Sequence, residues 1–439
     1  MNARLRKLFN QLGETFWLVP GAMVLAGILL AVALLAIDRG GHLPVWLTDS
    51  NWFYNGGGTG ARTLLGAIAS STIGVAGTVF SITIAALSLA AGQMGPRLLR
   101  NFTRDRGVQT TLGAFLGTFS YALMVLRSVR THEEGPFTPH LALSFGIVLA
   151  FACVGTLVYF VAHMANRINV DTVVELVSDD VRAAIESLRT ERVQTEPPPA
   201  TFWEGGCVVV DPRRGYLQQL DEAGLADWAA EHGTAIRMLV RQGDYVFPGA
   251  PIAVLSSPVP QAQEAVRDAT ALGPTRGSYG NAEHAIRQLV EVAVRALSSG
   301  INDPHTAMSV LDRLGAALCD LAGHHLPSGV ALRENAVALV VPTVTYQSLV
   351  DVMFHLIRQN AASSTAVMIR LLDVLTAVLA CETDPARKEV LGRHADLVWS
   401  DARRDIPNES DVADVGRRFA ILQRMRMHGV LGAIGAEAL

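Results

Sequence analysis

Between Arg62 and Arg97 the chain carries no charged residue for about 34 positions. At a rise of about 1.5 Å per residue, such a run makes roughly 50 Å of helix, against about 30 Å of bilayer hydrocarbon. A helix of this kind must tilt, break at Gly74 or Gly77, or continue past the bilayer as a buried helix. Three more apolar runs accompany it, so spans are expected at roughly 16–37, 64–94, 108–128 and 141–164. Charged residues make up 17% of the chain, against about 25% in ordinary soluble domains. Most of that deficit falls before residue 165. The fold class expected is therefore an α-helical polytopic membrane protein with about four transmembrane helices in residues 1–165, followed by a cytoplasmic α+β region.

Loop charge sets the expected orientation. Arg4, Arg6 and Lys7 precede the first run, Arg97, Arg100, Arg104 and Arg106 separate the second from the third, and Arg167 follows the fourth. The other loops carry Arg39, Arg62, Arg127 and Arg130. The bias favours both termini in the cytoplasm. The first run is long enough to span and no small-residue cleavage site follows it, so it reads as a signal anchor. Trp46, Trp52, Phe53 and Tyr54 suit an interfacial aromatic belt on the other side.

The second run is patterned. Ser71, Gly74, Thr78, Ser81, Ala85 and Ser88 recur at spacings of three and four, which aligns small and hydroxyl side chains on one helix face. Two readings fit. Small residues let helices approach closely, with hydroxyls bonded to their own backbone or a neighbour's. Alternatively the stripe lines a pore, with Ser71, Thr78, Ser81 and Ser88 replacing part of an ion's hydration and Phe80 in an apolar gate. In the third run, Gly113 and Gly117 form a GxxxG pair that reads as helix packing. The interiors of the four runs hold no Asp, Glu, Lys or Arg, which argues against an ion-coupled transporter. Neither HExxH nor GxSxG is present, which argues against an intramembrane protease.

Behind the spans, residues 166–200 read as a stalk. Val170, Val173, Val174, Val177, Val181 and Ile185 line one helix face, and Pro197, Pro198 and Pro199 close the segment. Such a helix packs on its own domain or on a second subunit, and the second is preferred. Residues 201–262 switch to short strands, at Val208–Val210, Tyr216–Leu217, Ala235–Val240 and Ile252–Leu255, with a short helix capped by Asp221. Arg241 to Gly249 forms a tight turn that is similar, over this stretch only, to the GDxVxxG turn of lipoyl- and biotinyl-like β domains. No carrier lysine sits at a matching hairpin, so no swinging-arm cofactor follows. Residues 263–439 are read as helical, with helices at about 281–298, 304–322, 343–360, 362–381, 385–402 and 409–430.

The sharpest local motif runs from Arg295 to Ala307. Gly300 suits the residue after a helix, Asn302 or Asp303 suits an N-cap, and Pro304 a first turn. A helical corner explains these residues. A polar site built from Arg295, Asn302, Asp303 and His305 is the functional alternative, since helix N-termini attract anions, although Asp303 would oppose one. Cys153, Cys207, Cys319 and Cys381 are far apart in sequence and read as free buried thiols. His324, His325 and His355 read as solvated or packed. A net charge of −4 gives no basic surface for nucleic acid.

The stretch RQLVEVAVRALSSGINDPHTA within 283–307, together with GTVFSITIAALSLAAGQMGPRLLRNF from Gly77 to Phe102, resembles the bacterial predicted membrane proteins of domain of unknown function 2254. The resemblance implies a bacterial inner, or plasma, membrane protein and supplies no activity. The function expected is an oligomeric ion channel or channel-like protein with a cytoplasmic regulatory domain, in contact with the lipid bilayer and with an ion or small ligand. Four spans are few for a solute path within one subunit, hence the expected homo-oligomer. A membrane-anchored scaffold or sensor that binds a cytoplasmic partner is the alternative. No catalytic motif is found, so an enzyme is not expected, and no residue is assigned to a cofactor or a metal.

Overall fold

The apolar runs form four long helices: α1 (Leu18–Arg39), α2 (Gly58–Met94), α3 (Arg106–Ser128) and α4 (His140–Arg167). All four are long and apolar enough to cross a membrane. The computed structural model describes residues 16–40, 57–94, 105–130, 137–167, 170–191, 195–275 and 282–434. Arg4, Arg6, Lys7, Trp46, Trp52, Phe53, Tyr54, Arg97, Arg100 and Arg104 lie outside them, and with them most of the charges and aromatics behind the expected orientation. The chain divides into two units, Arg4–Val173 and Val174–Leu439, apart from the first three residues.

In the first unit α3 is the hub, packed against α1, α2 and α4. It is also the least apolar of the four helices. The two facts are linked, since a helix shielded by its neighbours can keep Gln109, Thr111 and Thr118 buried. Its GxxxG pair does pack a helix: Gly113 and Gly117 lie against Met23 and Gly27 of α1. A Cβ on Gly27 would come within 2.4 Å of the Gly117 carbonyl oxygen, so only glycine fits there. Polar anchors sit at the helix ends. The Asp38 carboxylate, at the end of α1, accepts from the Leu141 and Ala142 amides that open α4, at 3.2 and 3.0 Å. Asp105 caps α3 and takes the Gly107 amide at 2.7 Å. Tyr121 donates to the Ala142 carbonyl at 2.7 Å. The long second helix does not break at Gly74 or Gly77; it is one helix of 37 residues.

The second unit begins within α5 (Val170–Leu188). Its apolar face packs within the chain rather than awaiting a second subunit, with Val174, Val177, Val181 and Ile185 all buried. Glu175 pairs with Arg313 at 2.8 Å, and Thr190, just past the helix, bridges to His325. The next elements are β1 (Cys207–Asp211), β2 (Gly215–Leu220), α6 (Glu222–Glu231), β3 (Ile236–Met238), β4 (Tyr245–Val246), β5 (Ala250–Leu255), α7 (Ala262–Ala269) and β6 (Thr270–Gly273). Helices α8 (Ala282–Ala296) and α9 (Pro304–Leu321) follow, then β7 (Val330–Arg333) and β8 (Ala336–Val340). The chain ends in α10 (Tyr346–Asn360), α11 (Thr365–Cys381), α12 (Pro385–Asp405) and α13 (Glu409–Ile434).

The strands form two sheets, ordered β1-β5-β3-β8-β7 and β4-β2-β6. Their core gathers Leu217, Leu225, Ile236, Met238, Ile252, Leu255 and Leu339. The hairpin β7–β8 departs from the expected all-helical stretch after residue 281, and β8 pairs in parallel with β3. Its cause is local. Glu334 and Asn335 take left-handed φ values of 50° and 65°, which turn a run of Val, Ala and Leu back on itself. Helices α8 to α13 pack as a bundle, with α10 against α8 and α12, and α11 against α9, α12 and α13.

Candidate functional site

Three places could carry function. The first is the outer face of α2. Its inner face, with Leu65, Ile68, Ala69, Thr72, Ala76, Val79 and Thr83, is buried. At 3.6 residues per turn the stripe Ser71, Gly74, Thr78, Ser81, Ala85 and Ser88 points the opposite way. All six residues are exposed within the chain, and open space faces Gly74 and Gly77. The stripe therefore does not pack the chain's own bundle. The Ser71, Thr78 and Ser81 hydroxyls each donate to a carbonyl of the preceding turn, on Ile68, Gly74 and Gly77, at 3.1, 3.2 and 2.9 Å. Their oxygens keep lone pairs for another group. Phe80 lies to one side of the stripe, 40% exposed, in line with Ile73 and Ile84. The outer faces of α1 and α4 differ, carrying Leu25, Leu29, Val148, Phe151 and Val158.

The second place is the corner between α8 and α9. Asp303 caps α9, accepting from the His305 and Thr306 amides at 3.1 and 3.2 Å and from the Thr306 hydroxyl at 2.5 Å. The Thr306 hydroxyl and these amides hold its carboxyl below the usual range, against a smaller opposing effect of burial. Its carboxylate thus occupies the amides that an anion would take. Asn302 and His305 are exposed, and Arg295 lies 3.8 Å from Glu291 on its own helix. The left-handed residue of the turn is Asn302, at φ 51°, rather than Gly300.

The third place was not visible along the sequence. Asp351 and His355, one turn apart on α10, meet His394 of α12. Asp351 Oδ1 lies 2.8 Å from His394 Nε2 and 3.2 Å from His355 Nε2. One donor atom from each residue falls within 4.8 Å of the others, the spacing of a set that could hold a metal ion. Arg393 also donates to Asp351. Hydrogen bonds from His394 and Arg393 together outweigh burial and hold the Asp351 carboxyl below its usual range. Burial pushes the His394 imidazole down to about 4, although Asp351 pulls the other way. The ring is therefore neutral at pH 7. His355 is packed rather than solvated, and its neighbours make it part of a cluster. The i, i+4 pair was the available signal; the third member lies across a helix interface.

The cysteines are all free, but only Cys153 is buried; Cys207 and Cys319 are half-buried and Cys381 is exposed. Cys319 meets Cys381, and burial, helped by that thiol, pushes the Cys319 thiol up to about 12.

Residues 13–377 match the family described as "Predicted membrane protein (DUF2254)". An uncharacterized protein of Mycobacterium tuberculosis is 30% identical over 438 residues, covering 94% of this chain and 81% of the relative. An uncharacterized protein of Mycobacterium bovis matches to the same extent, 30% over 438 residues. No solved structure matches.

Proposed function

Because the chain belongs to the DUF2254 family of predicted membrane proteins, we propose that it forms an oligomeric, channel-like assembly in the inner membrane, with the outer face of α2 toward the other copies and the ion path. One observation carries this reading. The longest helix turns the stripe Ser71, Gly74, Thr78, Ser81, Ala85 and Ser88 away from its own bundle, while Thr72, Ala76 and Thr83 face inward and the outward faces of α1 and α4 carry large apolar side chains. A lipid-facing helix has no use for a seam of Ser, Thr and Gly opposite its buried face, whereas a close helix contact or a hydrated path does. The backbone-bonded hydroxyls suit either role. Both termini lie in the cytoplasm, and Val174–Leu439 biases open against closed by binding its ligand differently in the two states.

The test is ion flux in liposomes holding the purified chain, paired with Thr78→Val and Ser81→Ala. A selective flux altered by either substitution supports the reading. Silence over ions and voltages from a folded oligomer, or flux indifferent to both substitutions, removes the pore and leaves the stripe to packing.

A scaffold or sensor is the second reading. Tyr216, Tyr245 and Phe247 stack edge to face at 5.1 and 5.0 Å, and Phe247, just past β4, is 62% exposed. Exposed clustered aromatics are a common anchor for protein partners. Proximity labelling in cells that is unchanged by Phe247→Ser would count against it.

A further inference from the structure

The α10–α12 contact contains more than a structural tie needs. Helix α10 supplies Asp351 and Arg358, seven residues apart, and α12 supplies His394 and Asp401, also seven apart. The spacing repeats one face on each helix, so the two polar contacts stack along the same seam. They differ in kind. Arg358 and Asp401 form a buried ion pair of opposite charges. The other contact gathers three metal-ligating side chains around one small volume.

The details of that cluster suit a cation. His394 is fully buried in its side chain, with its Nε2 edge turned onto Asp351. Asp351 and His355 remain 27% and 33% exposed, which leaves a way in from solvent and room for water ligands. The Nδ1 atoms of both rings are buried and have no hydrogen-bond partner among the described residues. No second hydrogen bond fixes the tautomer of either ring, and offering the Nε2 lone pair to an ion places the proton on an Nδ1 without an acceptor, a cost that the metal bonds must offset. Ligand bonds of about 2.0–2.2 Å place tetrahedral donors roughly 3.4 Å apart. The hydrogen-bonded His394–Asp351 separation of 2.8 Å and the His355–Asp351 separation of 3.2 Å each open by a few tenths of an ångström to reach that spacing.

We propose that Asp351, His355 and His394 form a binding site for a divalent first-row transition-metal ion, with two imidazoles, one carboxylate and water as ligands. Two nitrogen donors and one carboxylate favour zinc and its neighbours over calcium or magnesium, which take oxygen ligands. Arg393 is the resident cation. It donates to Asp351, and its side chain is 42% exposed, so it can swing into water as the ion enters. The ion ties α10 to α12 on a surface of Val174–Leu439 and is independent of any pore.

The experiment uses the full-length chain in detergent, purified on a tag without histidine, stripped with EDTA, reloaded with zinc chloride and desalted. Metal content is read by mass spectrometry, and cobalt chloride gives the visible absorption of the coordinated ion. About one zinc per chain is expected for a site of this ligand count. Asp351→Asn and His355→Gln, both at partly exposed positions, are expected to weaken binding at least about tenfold while the circular dichroism is unchanged. Arg393→Gln is expected to tighten it, because a competing cation has gone. That last sign separates a metal site from a structural triad, which would gain no affinity. Zinc at background level in the wild type, or equal zinc in Asp351→Asn and His355→Gln, would overturn the proposal.

Discussion

The two units keep their polar groups in opposite places. In residues 4–173 the stripe hydroxyls of α2 face outward and bond their own helix, and the carboxylates of Asp38 and Asp105 sit at helix ends, Asp105 also meeting His163 of α4 at 2.8 Å. In residues 174–439 charges lie between elements, as pairs. Arg358 meets Asp401, Arg241 meets Glu283 at 2.8 Å, and Arg387 meets Glu382 at 3.5 Å. The contrast follows from what each surface must match. Helices long enough for hydrocarbon gain little from burying more apolar area against one another, so they associate through close approach at glycines and satisfy most hydroxyls on a nearby backbone carbonyl. A unit of ordinary charged composition gains from burying apolar area and tolerates inner charges only when each is partnered.

The strongest test of the paired-charge side is Asp401→Ala, which strands Arg358. A loss of about 4 kcal/mol is expected, read as hydrogen-exchange protection of the α10 and α12 amides. Replacing both residues, as Arg358→Met with Asp401→Leu, should restore most of it; no recovery would mean that the pair does more than neutralise itself. On the other side, Gly27→Leu drives a side chain into the Gly117 carbonyl and should cost about 3 kcal/mol in detergent unfolding. A tolerated leucine would show that α1 and α3 do not need their close approach.

Acid should act on the second unit through His394. Its imidazole is held at about 4, against about 6.5 in the unfolded chain. Below about pH 6.5 the unfolded chain takes up a proton that the buried ring refuses, so stability falls as pH drops towards 4. A loss of about 2 kcal/mol between pH 7 and pH 5 is expected, flattened by His394→Gln. Tyr121→Phe removes one hydrogen bond inside the first unit and should cost about 1 kcal/mol. Thr78→Val should change the unfolding of an isolated subunit by less than about 0.5 kcal/mol, because its hydroxyl faces outward. A large effect in dilute detergent, where copies are apart, would put that face inside the subunit.

Much of this was legible in the sequence because the signals were local. Asp303 and Pro304 mark the start of α9, Asp221 that of α6, and uncharged length marks α2. What escaped depended on partners distant in sequence. The hairpin β7–β8 is short and apolar like a helix segment, and only β3 beside it stabilises it as strand. The valines of α5 have the same periodicity whether they meet their own unit or another copy. His355 carries no mark of His394. Composition and periodicity by themselves determined that four helices could cross a membrane, that one bears a stripe of small and hydroxyl residues, and where the bundle helices begin and end, since these depend on neighbours within a turn or two. Only the tertiary structure decided that the stripe faces away from its own bundle and that one carboxylate and two imidazoles share a seam, because helix rotation and neighbour choice are set by packing between segments far apart in the chain.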